Sequence, residues 1–180
     1  MAWTAPMTAV AGSVFTAAQF NTFVRDNLNE TGPAKATGTG SFIMTAGLNQ
    51  LAQRTPATAR SITDDSTTST SFGDLAVTSG PDVTVSIGNR AFVAVTARIN
   101  VTAATQPGLV GYEMSGANTV AADDTRALWH ETNGTGEFNR STYYTMHTGL
   151  NPGSTTFTMK YRVGGGTGNF NYREIFVIPF

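Results

Sequence analysis

The chain has no cysteine, so disulfides and thiolate metal sites are excluded and no residue reports a redox compartment. Charge is also scarce: acidic and basic side chains make up 13% of residues, with 11 basic, 12 acidic and a net charge of -1. So few cations cannot neutralise a phosphate backbone, which argues against a nucleic-acid partner. No apolar run approaches the roughly 20 residues that span a bilayer, so no membrane partner is expected. The N-terminus lacks a basic segment followed by an apolar core, the mark of a secretory signal. A weakly charged surface rich in Thr, Gly and Asn suits a protein made in the cytoplasm that later works outside cells.

Catalytic and metal-binding equipment is equally thin. His130 and His147 are the only histidines. Both fall in predicted strands, and the neighbours His130 and Glu131 would point to opposite faces, so they cannot simply share one metal ion. Asp64-Asp65 and Asp123-Asp124 lack the alternating acidic spacing of a calcium loop. Asp123-Asp124-Thr125 reads as a bulge or turn inside a long strand. There is no G-x-S-x-G. Glu113, Glu131, Glu137 and Glu174 are carboxylates that the sequence places in no glycosidase-like pair. Gly164-Gly165-Gly166-Thr167-Gly168 lacks the Lys-Ser/Thr and following helix of a phosphate loop and reads as a hairpin. No enzyme activity, cofactor or metal is expected.

What the sequence does contain begins with a sharply punctuated helix. Thr16 is a good N-cap with Gln19 three residues later, a capping box, and Phe15 and Phe20 are spaced for a hydrophobic staple. Phe20, Phe23, Val24 and Leu28 then follow the spacing of one apolar stripe, and Gly32-Pro33 ends the helix. A helix of about 14 residues is marginal alone in water, so the stripe calls for a surface supplied from elsewhere. Residues 33–71 read as an extended arm. Within it, Ser41-Phe42-Ile43-Met44 and Leu48-Asn49-Gln50-Leu51 are two short extended pieces around Thr45-Ala46-Gly47, and residues 52–71 are too poor in core residues for a compact domain.

From residue 72 the pattern turns to period two. Ala91, Val93, Val95, Ala97, Ile99 and Val101 face one way, and Thr96, Arg98 and Asn100 the other. Strands are expected at 72–78, 82–88, 90–102, 108–115, 119–130, 137–148, 155–163 and 168–178. Turn signals separate them at Ser79-Gly80-Pro81, Gly88-Asn89, Gln106-Pro107-Gly108, Asn133-Gly134, Asn151-Pro152-Gly153 and Gly164-Gly165-Gly166. The last strand is continuously apolar at its end, so both its faces are expected to be covered, with Phe180 at the domain base or a subunit contact. Strands without intervening helices indicate a mainly β fold, an antiparallel jelly-roll-like β-sandwich at 72–180, preceded by the short N-terminal helix (1–32) and the arm. Trp129, His130, Tyr143, Tyr144, Tyr161 and Tyr172 could stack on sugar rings, with Trp129, Tyr143 and Tyr144 the leading candidates, although Tyr and Trp serve equally in cores and interfaces.

The N-terminal segment Trp3-Thr4-Ala5-Pro6, followed by Gly12-Ser13-Val14-Phe15-Thr16-Ala17-Ala18-Gln19-Phe20-Asn21-Thr22-Phe23-Val24-Arg25-Asp26-Asn27-Leu28, resembles structural proteins of tailed bacteriophages, especially those of actinobacterial hosts. Gly40 to Ala52 resembles a short segment of similar phage fibre and decoration proteins. The resemblance covers about a third of the chain. It implies a virion component, assembled in the host cytoplasm and exposed on the particle, whose N-terminus attaches while the C-terminal domain projects. It further implies self-association as a homotrimer and contact with the major capsid protein or tail proteins. A capsid-surface decoration or head-fibre protein is the first reading; a minor tail or tail-fibre protein that binds a host-surface glycan is the alternative. On either reading the attachment or oligomer interface would comprise Trp3, Phe15, Phe20, Phe23, Val24, Arg25, Asp26, Leu28 and Phe42. The polar residues Asn21, Arg25, Asp26 and Asn27 would fix its register against shell or sister subunits.

Overall fold

A computed structural model describes residues 3–133 and 136–180. The Asn133-Gly134 turn and the first two residues of the 1–32 segment therefore fall partly or wholly outside the described residues. The chain divides into two compact units, Met1–Thr55 and Pro56–Phe180.

In the first unit, the Thr16 hydroxyl accepts from the Gln19 amide (3.2 Å) and the Gln19 side chain accepts from the Thr16 amide (2.9 Å), which closes the capping box. Helix α1 (Ala17–Phe20) then runs into a π-helical turn, Asn21–Arg25, and into α2 (Asp26–Leu28). At that turn the Asp26 amide reaches back to Asn21 O. The wider turn rotates the side chains beyond it, so the stripe predicted as one ridge is offset between Phe20 and Leu28. Gly32-Pro33 does not end the helix. It opens a further short helix, α3 (Gly32–Lys35), with Pro33 in the first turn, where a missing N–H costs nothing. Strands β1 (Phe42–Gly47) and β2 (Gln50–Arg54) form an antiparallel hairpin, with Asn49 in the left-handed region (φ 57°) between them.

The second unit is an antiparallel sandwich. Its strands are β3 (Ala57–Ser61), β4 (Asp65–Thr67), β5 (Asp82–Ile87), β6 (Arg90–Val101), β7 (Pro107–Gly116), β8 (Leu128–Glu131), β9 (Asn139–Thr148), β10 (Gly153–Val163) and β11 (Gly168–Pro179). One sheet has the order β5-β10-β7-β8; the other runs β3-β11-β6-β9, with β4 also on β11. The chain passes from sheet to sheet, and each sheet pairs early strands with late ones, which is jelly-roll connectivity. The inward residues predicted for β6 are all fully buried. They meet Val83, Val85 and Ile87 of β5, Tyr112 and Met114 of β7, and Phe157, Met159 and Tyr161 of β10 in one core.

Three expected segments of the sandwich and arm also differ from the structure. The arm expected over residues 33–71 is divided: 57–67 belong to the sandwich, because β3 and β4 pair with β11. The inward side chains of β3 are Ala57 and Ala59, which pack against the core but are small enough to read as linker. Residues 72–78 form no strand beyond one bridge, Gly73 to Tyr161, because the Asp65 carboxylate gathers the amides of Val77 (3.1 Å) and Thr78 (2.7 Å) and turns the chain. Of the strand expected at 119–130, only Leu128–Glu131 pairs continuously with β7. Asp123 accepts from the Thr125 amide (2.9 Å) and starts a 3-10 turn, Asp124–Arg126, in place of ladder pairing.

The end of β11 is fully covered on one face and partly on the other. Ile175 and Val177 are buried, whereas Phe176, Ile178 and Phe180 are half-buried. Phe180 lies at one end of the sandwich, its amide donating to Arg90 O (2.9 Å) and its carbonyl accepting from Gly88 (2.7 Å).

β11 also carries a bulge. Between Asn171 and Glu174 it has one residue more than β6 has between Arg98 and Thr96. The extra residue lets both Phe170 and Arg173 point inward. Arg173 is fully buried. Its Nη2 donates to Ser61 Oγ (2.9 Å) and Thr63 O (3.2 Å), and its Nη1 to Thr78 Oγ1 (3.0 Å) and Gly80 O (3.4 Å). Thr78 Oγ1 in turn donates to Asp65 Oδ2 at 2.6 Å. A hydroxyl thus links a buried cation to its counter-charge.

Candidate functional site

The predicted attachment residues all belong to the first unit, and the structure separates those that hold the unit together from those turned to solvent. Asn27 is buried and clamps the opening tetrapeptide: its Oδ1 accepts from the Thr4 amide (2.8 Å), and its Nδ2 donates to Thr4 O (2.9 Å) and Phe23 O (3.1 Å). Trp3 is tied to the hairpin through its amide and Asn49 O (2.9 Å). The motif residue Asn27, expected to set register against a partner, is therefore spent inside its own unit. Arg25 and Asp26 engage each other, with Nε donating to Oδ1 at 2.8 Å. Glu30 is buried beside Lys35, Oε1 to Nζ 3.0 Å, and that hydrogen bond, working against burial, holds its carboxyl below the usual range.

The apolar members behave differently. Phe15 and Phe20 meet edge to face, with centroids 6.2 Å apart, as the staple requires, yet each leaves about half of its surface in water. Trp3, Val14 and Leu28 are exposed as well, while Phe23, Val24 and Phe42 are half-buried. The described residues of this unit bury only Asn27 and Glu30. Its described residues form no apolar core of their own.

In the sandwich, Trp129, Tyr143 and Tyr144 do not share a platform, and Tyr161 is buried in the core. Tyr143 points inward, packs on the core and donates its hydroxyl to Thr125 O (2.9 Å). Tyr144 points outward on the β3-β11-β6-β9 sheet and stacks on Phe92 (5.7 Å, 25°). Trp129 lies exposed on β8, in the other sheet. His147 points into the sandwich, where its Nε2 meets the Tyr112 hydroxyl at 2.5 Å across the two sheets. Burial, reinforced by the positive charge of Arg126, lowers the His147 pKa, and burial pushes the Tyr112 phenol up to about 12. This pair is neutral and serves as a cross-sheet tie. His130 lies against Asn139 (Nδ1 to Nδ2 3.3 Å). Among the described residues, no three His, Asp or Glu side chains converge as a metal site would require. The residues that sequence reasoning passed over are Arg60, Arg98 and Arg140, which the sheet order brings to one outer face. Arg98 and Arg140 signal themselves in the sequence only by their places in expected strands, and Arg60, in the expected arm, gives no signal.

No protein-family model and no curated protein matches this chain. Among solved structures, that of infectious bursal disease virus Gt strain overlaps with a TM-score of 0.45 and 13% identity, covering 78% of this chain and 38% of the viral one. The Gx strain gives 0.45 and 6%, covering 75% and 35%. The CBM22-1 xylan-binding domain of Paenibacillus barcinonensis Xyn10C gives 0.30 and 11%, covering 78% of this chain and 81% of that domain. The chain thus spans little more than a third of the viral chains, and at these identities the likeness is one of β architecture alone.

Proposed function

We propose that this chain is a non-enzymatic structural component of a bacteriophage virion, a capsid-surface decoration or head-fibre protein. Residues 1–32 attach it to the major capsid protein and to sister subunits of a homotrimer, and the jelly roll projects from the particle. One observation carries the reading: Trp3, Val14, Phe15, Phe20 and Leu28 stand exposed on a capped, clamped segment that buries no large apolar side chain among its described residues. Covering the half-exposed aromatics would contribute about 1–2 kcal/mol each. The lone β1–β2 hairpin gains in the same way, since two strands by themselves are marginal in water. The motif resemblance of this same segment to phage structural proteins supplies the identity of the partner.

Deletion of residues 1–32 tests the proposal. The truncated chain is expected to keep the β circular-dichroism signal and cooperative melting of the sandwich while failing to join particles. Normal incorporation would refute it. Antibody labelling of intact particles is expected to decorate heads; label confined to tail tips would transfer the protein to the tail.

A further inference from the structure

The two outer faces of the sandwich treat their cations differently. On the β5-β10-β7-β8 face, the outward basic groups of β10 are matched: Lys160 pairs with Asp74 (2.9 Å) and Glu113 (3.2 Å), and Arg162 with Asp124, its Nε at 2.8 Å. On the β3-β11-β6-β9 face, Arg60 of β3, Arg98 of β6 and Arg140 of β9 have no carboxylate at ion-pair distance among the described residues. Arg98 and Arg140 are direct cross-strand partners, a like-charge arrangement that costs the sheet stability. Two carboxylates lie close by, but each is otherwise engaged. Glu174 opposes Arg60 in the ladder, yet its Oε1 accepts from the Thr58 hydroxyl (3.4 Å). Glu137 Oε2 accepts from the Asn133 amide (2.9 Å).

Aromatic rings place the guanidinium groups. Arg98 Cζ lies 4.0 Å from the Phe138 centroid, and Arg140 and Arg60 lie 5.6 Å and 5.9 Å from that of Tyr172. A guanidinium held over a ring keeps its N–H edge free for a planar oxyanion. Tyr172 sits in the β11 bulge at φ 47°, a left-handed conformation that is strained for a bulky side chain. Strain of this kind concentrates at binding sites. Along the same face come the Thr96 and Thr142 hydroxyls, 2.7 Å apart, and then the stacked Phe92 and Tyr144, the latter two-thirds exposed. Arg98 lies four residue steps along β6 from Ala94, the cross-strand partner of Tyr144, a span of about 13 Å.

We infer that this face binds a carboxylate-bearing saccharide chain, a polyuronate, with Arg60, Arg98 and Arg140 taking carboxylates. Thr96, Thr142 and Tyr144 meet the hydroxyls and C–H faces of the following rings. Guanidinium forks match carboxylates in a bidentate manner, and an uncharged hydroxyl row leading to a flat ring suits sugars. A nucleic acid would need cations along its whole length, and an extended peptide adds to a free strand edge rather than to a sheet face. The inference stands independently of how residues 1–32 attach.

The test uses the full chain and titration calorimetry with oligogalacturonate, alginate oligomers and hyaluronan oligomers. Methyl-esterified oligogalacturonate, poly-glutamate and oligo-dT serve as comparators. At least one uronate is expected to bind, the ester much more weakly, and Arg140→Gln is expected to weaken uronate binding about tenfold or more. The same variant is expected to melt no lower than the native chain, since it relieves the Arg98–Arg140 repulsion, so lost binding cannot be put down to misfolding. Four results would each overturn the inference: no binding of any of the uronates, equal binding of the ester, unchanged affinity in Arg140→Gln, or tighter binding of poly-glutamate or oligo-dT.

Discussion

Replacing Thr78 by valine tests how the sandwich holds a fully buried arginine. The side chains are nearly isosteric, so the change removes one hydroxyl and little volume. That hydroxyl makes two hydrogen bonds to charged groups, donating to Asp65 (2.6 Å) and accepting from Arg173 (3.0 Å). Such bonds contribute about 1.5–3 kcal/mol each, and because Thr78 is half-buried, so that water can partly replace it, we expect a total loss of about 2–4 kcal/mol. For a unit of this size, that lowers Tm by roughly 8–16 °C. Thr78→Ser keeps the hydroxyl and should stay within about 1 kcal/mol of the native chain. Urea unfolding of both variants, read by circular dichroism, measures the difference. A Thr78→Val variant as stable as Thr78→Ser would show that the hydroxyl couples nothing.

The same network has a pH signature. Burial raises the Asp65 pKa, but the Thr78 hydroxyl and the amides of Ser66, Thr78 and Val77 outweigh it, and the net shift is downward. A depressed carboxylate stabilises the fold above its unfolded value of 3.8 and loses that contribution as pH falls through the folded value. Native stability should therefore drop in acid below about pH 4, and Thr78→Val should drop less steeply because part of the advantage is already gone.

Other predictions concern packing, titration and the attachment segment. Gly108→Ala would bring a Cβ to 2.5 Å from Ile99 Cγ2 and 3.0 Å from Val101 Cγ2, so overpacking should cost about 1–3 kcal/mol in urea unfolding, and a neutral result would contradict the sheet-to-sheet spacing. Burial depresses His147 below its usual value of 6.5, so its contribution is complete above that pH and fades as pH falls through the lowered pKa. His147→Phe should flatten the fall in stability that begins as pH drops below about 6.5, and an unchanged slope would remove His147 as the titrating group. Asn27→Ala should free the Thr4 backbone and raise amide exchange at Thr4 while leaving the sandwich transition intact; unaltered exchange would mean the clamp does not order the segment.

How much could be read in advance depended on whether the deciding force was local or long-range. The capping box at Thr16 and Gln19 was legible because its atoms lie within one turn of helix. The inward face of β6 was legible because strand geometry alternates side chains whatever the partner. β3 was not legible: Ala57, Ala59 and Ser61 carry almost no hydrophobic signal, and they become a strand only because β11, more than a hundred residues later, offers a ladder. The segments 72–78 and 119–127 had β-like composition, but Asp65 and Asp123 drew their amides into turns, a competition that periodicity does not register.

The amino-acid sequence by itself determined the chemistry available to this protein: no thiols, few charges, an amphipathic capped helix, and strands whose alternation demands a second sheet. Those properties belong to single residues and their near neighbours, so no distant contact alters them. Tertiary structure alone decided that Asn27 is spent on Thr4, that Arg173 is buried over a threonine relay, and that Arg60, Arg98 and Arg140 share one face. The two arginine arrangements depend on which strands lie side by side, and strand order is set by the summed burial of the whole core rather than by any one segment.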